Sequence, residues 1–132
     1  MSQTETTAQI RRPQHVRWSE IPIESVTSKF QRQIVVGDRV MVARLTLKKG
    51  CIVPRHSHFH EQVSQVQQGA LEFRLDGSHF TVQAGEMLCI PPHLPHTVLA
   101  LEDTICIDTF VPPREDWLNQ TDHYLRQTES ES

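Results

Sequence analysis

With 132 residues, 13 Lys and Arg against 16 Asp and Glu, and a formal net charge of −3, the chain is long enough for one domain with a single core. The absence of a basic excess or cluster excludes nucleic acid and anionic membrane as main partners, and no apolar run approaches a transmembrane span. Hydrophobic residues make up 37% of the chain, the share of a small globular domain and not of a disordered one.

In chain order, Met1 to Ala8 is polar without an apolar core, so no secretory signal is expected. Residues 1–14, ending at Pro13, read as a mobile arm. Val16 to Ile23 mixes Trp18, Pro22 and two isoleucines and is expected to lie extended across the body. Short apolar-alternating runs follow, each closed by a turn signal. Phe30–Val36 stops at Gly37-Asp38, Arg39–Leu47 at Lys48-Lys49-Gly50, Glu61–Gln68 at Gly69 and Leu71–Leu75 at Asp76-Gly77. Phe80 and Val82 precede Ala84-Gly85-Glu86, Met87–Ile90 ends in Pro91-Pro92, Thr97–Leu101 at Glu102-Asp103 and Thr104–Val111 at Pro112-Pro113. Eight or more short strands with close-spaced turns predict an all-β sandwich or barrel over residues 15–118. Met41, Ala43, Leu45 and Leu47 share one face of their strand; this apolar stripe is assigned to the outside of the barrel, where with the arm it would pair two copies into a homodimer. Arg44, on the other face, is either a second ligand-binding cation or part of a rim salt bridge. Only the tail reads as helix, from Arg114 through Leu118 toward Leu125 with Pro113 near its start, so residues 119–132 are a helical or frayed tail. Cys51, Cys89 and Cys106 are odd in number, far apart and set in apolar segments, which predicts buried free thiols and a reducing, cytoplasmic location.

Most of the chemistry lies between Gly50 and Gln62. In an extended strand alternate side chains point the same way, so His56 and His58 share a face, and Gln62 joins them if the extended register continues. His96, in Ile90-Pro91-Pro92-His93-Leu94-Pro95-His96, is a fourth candidate. Three imidazoles and one side-chain oxygen suit a first-row divalent metal. His56, His58, Gln62 and His96 are therefore predicted to form one metal site inside the barrel, for nickel, manganese, iron or zinc, although Gln62 could instead hydrogen-bond a bound water. On Thr104–Val111, Cys106, Asp108 and Phe110 share a face. An aspartate among apolar neighbours is unusual in a strand unless it faces a polar cavity, which makes Asp108 a candidate proton donor or acceptor. A structural ion pair with Arg114 is the alternative. Arg114, at the barrel rim, could fork onto a carboxylate, and Phe110 could wall a bound ligand. His60 is expected to shape its loop or face solvent, His93 to turn the chain, and His15, His79 and His123 to lie on the surface. Glu115 and Asp116 read as ordinary first-turn acids, and Trp117 and Leu118 as a cap on the barrel's base or a dimer contact.

At these residues the chain resembles the cupin superfamily. The first cupin motif is Gly, five residues, His-x-His, three or four residues, Glu, six residues, Gly. It reads here as Gly50, His56-Ser57-His58, Gln62 and Gly69, with Gln62 in place of the glutamate. The second is Gly, five residues, Pro-x-Gly, two residues, His, three residues, Asn. It reads as Gly85, Pro91-Pro92-His93, His96 and Ala100, with His93 for the glycine and Ala100 for the asparagine. The resemblance implies a double-stranded β-helix, the cupin jelly roll, with a metal near one mouth. The runs His56 to Gln62 and Ile107 to Leu118 are similar to those of the KdgF-type pectin degradation cupins, whose ligands are His-x-His, Gln and a later His. That similarity implies an enzyme that uses one divalent ion to open 4,5-unsaturated uronates from pectin or alginate breakdown to linear keto acids. Its substrate would be a small anionic sugar, and no redox step or second cofactor is implied. The family's Asp-x-Phe-x-x-x-Arg signature falls on Asp108, Phe110 and Arg114 and implies catalytic roles for them. The competing readings are an iron-dependent cupin dioxygenase and a non-catalytic cupin that binds sugars or hydroxy acids.

Overall fold

Short alternating runs broken by turns can satisfy their backbone groups only by pairing with one another. They do so as ten strands in the computed structural model, which describes residues 12–130. The expected arm, apart from residues 12–14, lies outside the described residues. The strands are β1 (Glu24–Thr27), β2 (Phe30–Val36), β3 (Met41–Leu47), β4 (Ile52–His56), β5 (Glu61–Gln68), β6 (Ala70–Leu75), β7 (Ser78–Gln83), β8 (Met87–Ile90), β9 (His96–Ala100) and β10 (Thr104–Val111). One sheet runs β1-β2-β3-β10-β5-β8 and the other β4-β9-β6-β7, with every pairing antiparallel. Phe30, Leu45, Leu47 and Phe110 of the first meet Val53, Leu71, Phe73 and Val98 of the second in one core. This is the expected all-β jelly roll. Gly69 joins β5 to β6 in the left-handed region at φ 89°, and a Cβ there would run into Asp103 O and Thr104 Oγ1, so only glycine fits this closing position.

Three expectations are reversed. Met41, Ala43, Leu45 and Leu47 are 0–5% exposed and face the core, not the outside. The reason is that these four alternate apolar positions have more surface to remove from water than the opposite face, which carries Val42, Arg44 and Thr46. Arg44 accordingly points away from the barrel interior and donates to Gln33 Oε1 at 3.2 Å, and it forms no salt bridge among the described residues. Cys89 is exposed, because its neighbour Ile90 takes the inward position on β8; Cys51 and Cys106 are buried, and all three are free.

The segment before β1 makes a 3₁₀ turn at Trp18–Glu20, pinned by Gln33 Nε2, which donates to Trp18 O at 2.7 Å and Ile21 O at 2.9 Å. The tail forms two helices, α1 (Glu115–Leu118) and α2 (His123–Ser130), not one, because Gln120 takes a left-handed conformation at φ 57° and ends the helical path. Helix α2 rests on β1 and β4, with Leu125 buried in the core. No helix among the described residues is long and apolar enough to cross a membrane.

Candidate metal centre

The two sheets deliver the candidate ligands by different routes. His56 is the last residue of β4 and pairs with His96, the first residue of β9, their ring centroids 4.2 Å apart. The chain then leaves the strand, so His58 stands in the loop 57–60, and re-enters as β5 in the other sheet, where Gln62 pairs with Phe110 and Ile90. Strand parity is thus not what unites His56, His58 and Gln62; the turn through Phe59 and His60 is. The loop is fixed by His93, whose N–H donates to His58 O at 2.7 Å from a left-handed turn at φ 68°. The nitrogens of His56, His58 and His96 lie within 4.8 Å of one another and could hold a metal ion.

The hydrogen bonds show what these rings present to the pocket. Nδ1 of His56 is 2.8 Å from Pro54 O, Nδ1 of His96 is 2.8 Å from Leu94 O, and Nδ1 of His58 is 3.1 Å from His60 O. A carbonyl only accepts, so each Nδ1 carries the proton and each Nε2 keeps a lone pair. His96 Nε2 is buried with no hydrogen-bond partner, an arrangement that costs about 1–3 kcal/mol. His58 Nε2 faces Gln62 Oε1, another acceptor, at 3.1 Å. That oxygen is aimed there because Gln62 Nε2 donates to Ser64 Oγ at 2.9 Å and Asp108 Oδ2 at 3.3 Å. Lone pairs converging without a donor fit a bound cation, and imidazoles oriented by backbone carbonyls are how metal-ligating histidines are held. Burial, reinforced by the neighbouring His96, lowers His56 to about 3; burial and then Arg114 lower His58 to about 4; burial also lowers His96. At neutral pH no proton competes for these nitrogens.

Asp108 lies on the inward face of β10, 6% exposed, beside Cys106, whose Sγ is 3.2 Å from Oδ1. Burial pushes its carboxyl up to about 6, partly offset by hydrogen bonds from Ser64 and Cys106. It does not pair with Arg114, so the alternative of a structural bridge between them is not realised. Arg114 is held instead by Asp116, with Nε to Oδ1 at 2.9 Å and Nη2 to Oδ2 at 2.8 Å. Asp116 is therefore the clamp of a buried guanidinium, not an ordinary helix-start acid. Burial raises Asp116, but the hydrogen bonds and the charge of Arg114 together outweigh it and hold it below its usual range. The Arg114 guanidinium lies 5.1 Å from the Phe110 ring and 4.9 Å from the Trp117 ring. Trp117 is buried at the pocket with Arg114, not at the base or on a dimer surface; Leu118 is exposed. His60 is buried under Phe59, ring centroids 4.1 Å apart, and does not face solvent. His15, His79 and His123 are exposed, as expected.

Tyr124 was not foreseen. It stacks on His56 and completes a cavity of about 30 Å³ lined by His56, Gln62, His96, Asp108 and Arg114 among others. The available signal was that it is the chain's single tyrosine, set beside Leu125 in an otherwise polar tail.

Two antiparallel sheets closing around a histidine cluster place the protein among jelly rolls with a candidate metal centre. The chain belongs to the cupin family: the family model described as "Cupin domain" matches residues 43–110. The "Pectin degradation protein KdgF" of Dickeya dadantii (strain 3937) is 30% identical over 102 residues, covering 75% of this chain and 93% of the relative. The structure of KdgF from Halomonas sp. superposes with a TM-score of 0.76 at 29% identity, covering 80% of this chain and 99% of that one. An RmlC-like cupin from Shewanella frigidimarina NCIMB 400 gives a TM-score of 0.75 at 30% identity, covering 80% of this chain and 96% of that one.

Proposed function

We propose that this cupin is a metal-dependent enzyme that opens 4,5-unsaturated uronates, of pectin or alginate origin, to linear keto acids. The observation that carries the reading is the meeting of three neutral imidazoles with a buried carboxyl, Asp108, poised at about 6. Relatives named KdgF, one of them as a pectin degradation protein, support the substrate class. A divalent ion held by His56, His58, His96 and Gln62 Oε1 would supply a Lewis acid whose charge no anionic ligand offsets. Nickel, manganese, iron and zinc all accept this donor set.

The chain's own residues account for the rest. Ser64 and Asp108 fix the carboxamide of Gln62, so its oxygen stays turned toward the imidazoles. Asp108 moves the proton: as the ring C–O bond breaks, the hemiacetal becomes an aldehyde and an enol, and a proton returned at carbon makes the enol a ketone. The sum is an isomerisation that consumes no oxidant or water. Arg114, clamped by Asp116, pairs with the sugar carboxylate, and Phe110 backs the ring.

We also read the chain as a cytoplasmic homodimer. Three unpaired thiols support the compartment, and Val35, Val42 and Ile105 on the outer face of the larger sheet support the pairing. A monomer mass by light scattering would contradict the second point. The functional test is the loss of ultraviolet absorbance of an unsaturated uronate with metal-loaded and with chelated protein. Turnover only in the loaded sample is expected. Binding without turnover, or oxygen consumption in its place, overturns the reading.

A further inference from the structure

Tyr124 lies beyond α1, outside every motif that marks the site, yet it closes the pocket. Its ring lies against His56 with centroids 4.5 Å apart and 25° between the planes. Its hydroxyl accepts hydrogen bonds from Arg114 Nη2 at 2.8 Å and Trp117 Nε1 at 3.3 Å. A ring against the imidazole wall and an oxygen on the guanidinium are two contacts that a cyclic sugar acid would make there. The space left beneath Tyr124 is about 30 Å³, room for one or two waters. Pockets that bury a small molecule run to about 300–1,000 Å³. The backbone on either side is anchored, since Asp122 is fully buried against Arg32 at 2.6 Å and Leu125 sits in the core. Tyr124 itself is part-exposed between those anchors, so a change of its side-chain rotamer, without movement of α2, is the motion an opening would need.

We propose that Tyr124 is a specificity-determining gate whose side chain occupies the substrate's seat and turns out when an anionic ring compound takes over its contacts with His56 and Arg114. The proposal rests on the function proposed above for the identity of that compound, but not for the gate itself. A ligand that binds only the open form has its apparent affinity reduced by the open fraction, so removing the ring removes that penalty.

The gate can be read without substrate or metal, by the rate at which diethyl pyrocarbonate modifies His56 in metal-free protein, mapped by mass spectrometry. Tyr124→Ala is expected to raise that rate about tenfold or more over wild type, the factor by which the closed form dominates. Tyr124→Phe, which keeps the ring and loses the hydroxyl, is expected to raise it less. In metal-loaded protein, Tyr124→Ala lowers KM for the unsaturated uronate. Equal modification rates in all three proteins overturn the gate, as does a KM raised by Tyr124→Ala, which would make Tyr124 a fixed wall. If Tyr124→Ala does not fold, the rate in Tyr124→Phe decides alone, with no increase counting against the gate. Absence of turnover in every protein, with His56 rates differing as expected, removes the uronate reading and leaves the gate standing.

Discussion

Two buried polar clusters meet at Trp117, whose ring lies 4.6 Å from the Arg32 guanidinium and 4.9 Å from that of Arg114. They resolve the cost of burial in opposite ways. In the first, Arg32 binds Glu24 at 2.8 Å and Asp122 at 2.6 Å, and Arg126 closes the ring to the same two carboxylates at 2.9 and 3.2 Å. Two cations face two anions, and the chain completes the cluster by itself. In the second, three imidazoles point lone pairs at one another and at Gln62 Oε1, and His96 Nε2 has no donor. That cluster lacks a donor of its own and could hold an added cation. Burial and polarity are shared by both; the count of donors against acceptors is what separates a structural network from a binding site.

The largest expected effect lies in the second cluster. Asp108→Asn should lower uronate turnover by about 10²–10⁴-fold while metal content, measured by elemental analysis, stays the same. Next comes the first cluster. Asp122→Ala leaves Arg32 buried short of a counter-charge and should cost about 3–5 kcal/mol, read as a lower thermal midpoint, with metal content per folded chain unchanged. If metal were lost and stability kept, the division between the clusters would be wrong.

Acid should separate them further. The folded imidazoles titrate below their ordinary 6.5, so between about pH 3 and 6.5 the unfolded chain binds more protons and metal-free protein loses stability as pH falls. His56 contributes about 1.4 kcal/mol per pH unit in that window, and His58, part-exposed, contributes less. Asp108 acts in the opposite sense. Its folded value of about 6 lies above its ordinary 3.8, so there the folded chain binds the extra proton and offsets part of the loss. Asp108→Asn should therefore steepen acid unfolding, as followed by circular dichroism against pH. A smaller effect is expected from His96→Leu, which removes the orphaned nitrogen and should leave metal-free stability unchanged or raised by about 1 kcal/mol. Smallest is Arg126→Gln, a part-exposed partner whose loss should cost less than about 1 kcal/mol in chemical denaturation.

Much of this was legible in the sequence, with specific gaps. Alternation marked β2, β3 and β5 through β10, but β1 is short and mostly polar, and β4 hides its alternation behind Pro54 and Arg55. Alternation also tells which residues share a face without telling which face is inward, and so the Met41 stripe was assigned to the wrong side. The spacing of His56, His58 and His96 picked out three residues that the fold brings together, although a turn between two sheets, not one strand's parity, brings Gln62 to them. Arg114 was visible, but its clamp was misread, because Asp116 also looks like a helix-start acid. Tyr124 and Asp122 were out of reach: Asp122 meets Arg32 across 90 positions of sequence, and no local pattern encodes such a contact.

The central claim is that His56, His58 and His96 together hold a divalent ion. The direct measurement is elemental analysis of chelator-stripped protein after incubation with excess divalent metal and desalting, with His96→Leu treated in parallel. One ion retained per wild-type chain, and almost none in the variant, is the predicted result. Equal retention in both proteins, or none in the wild type, would contradict it.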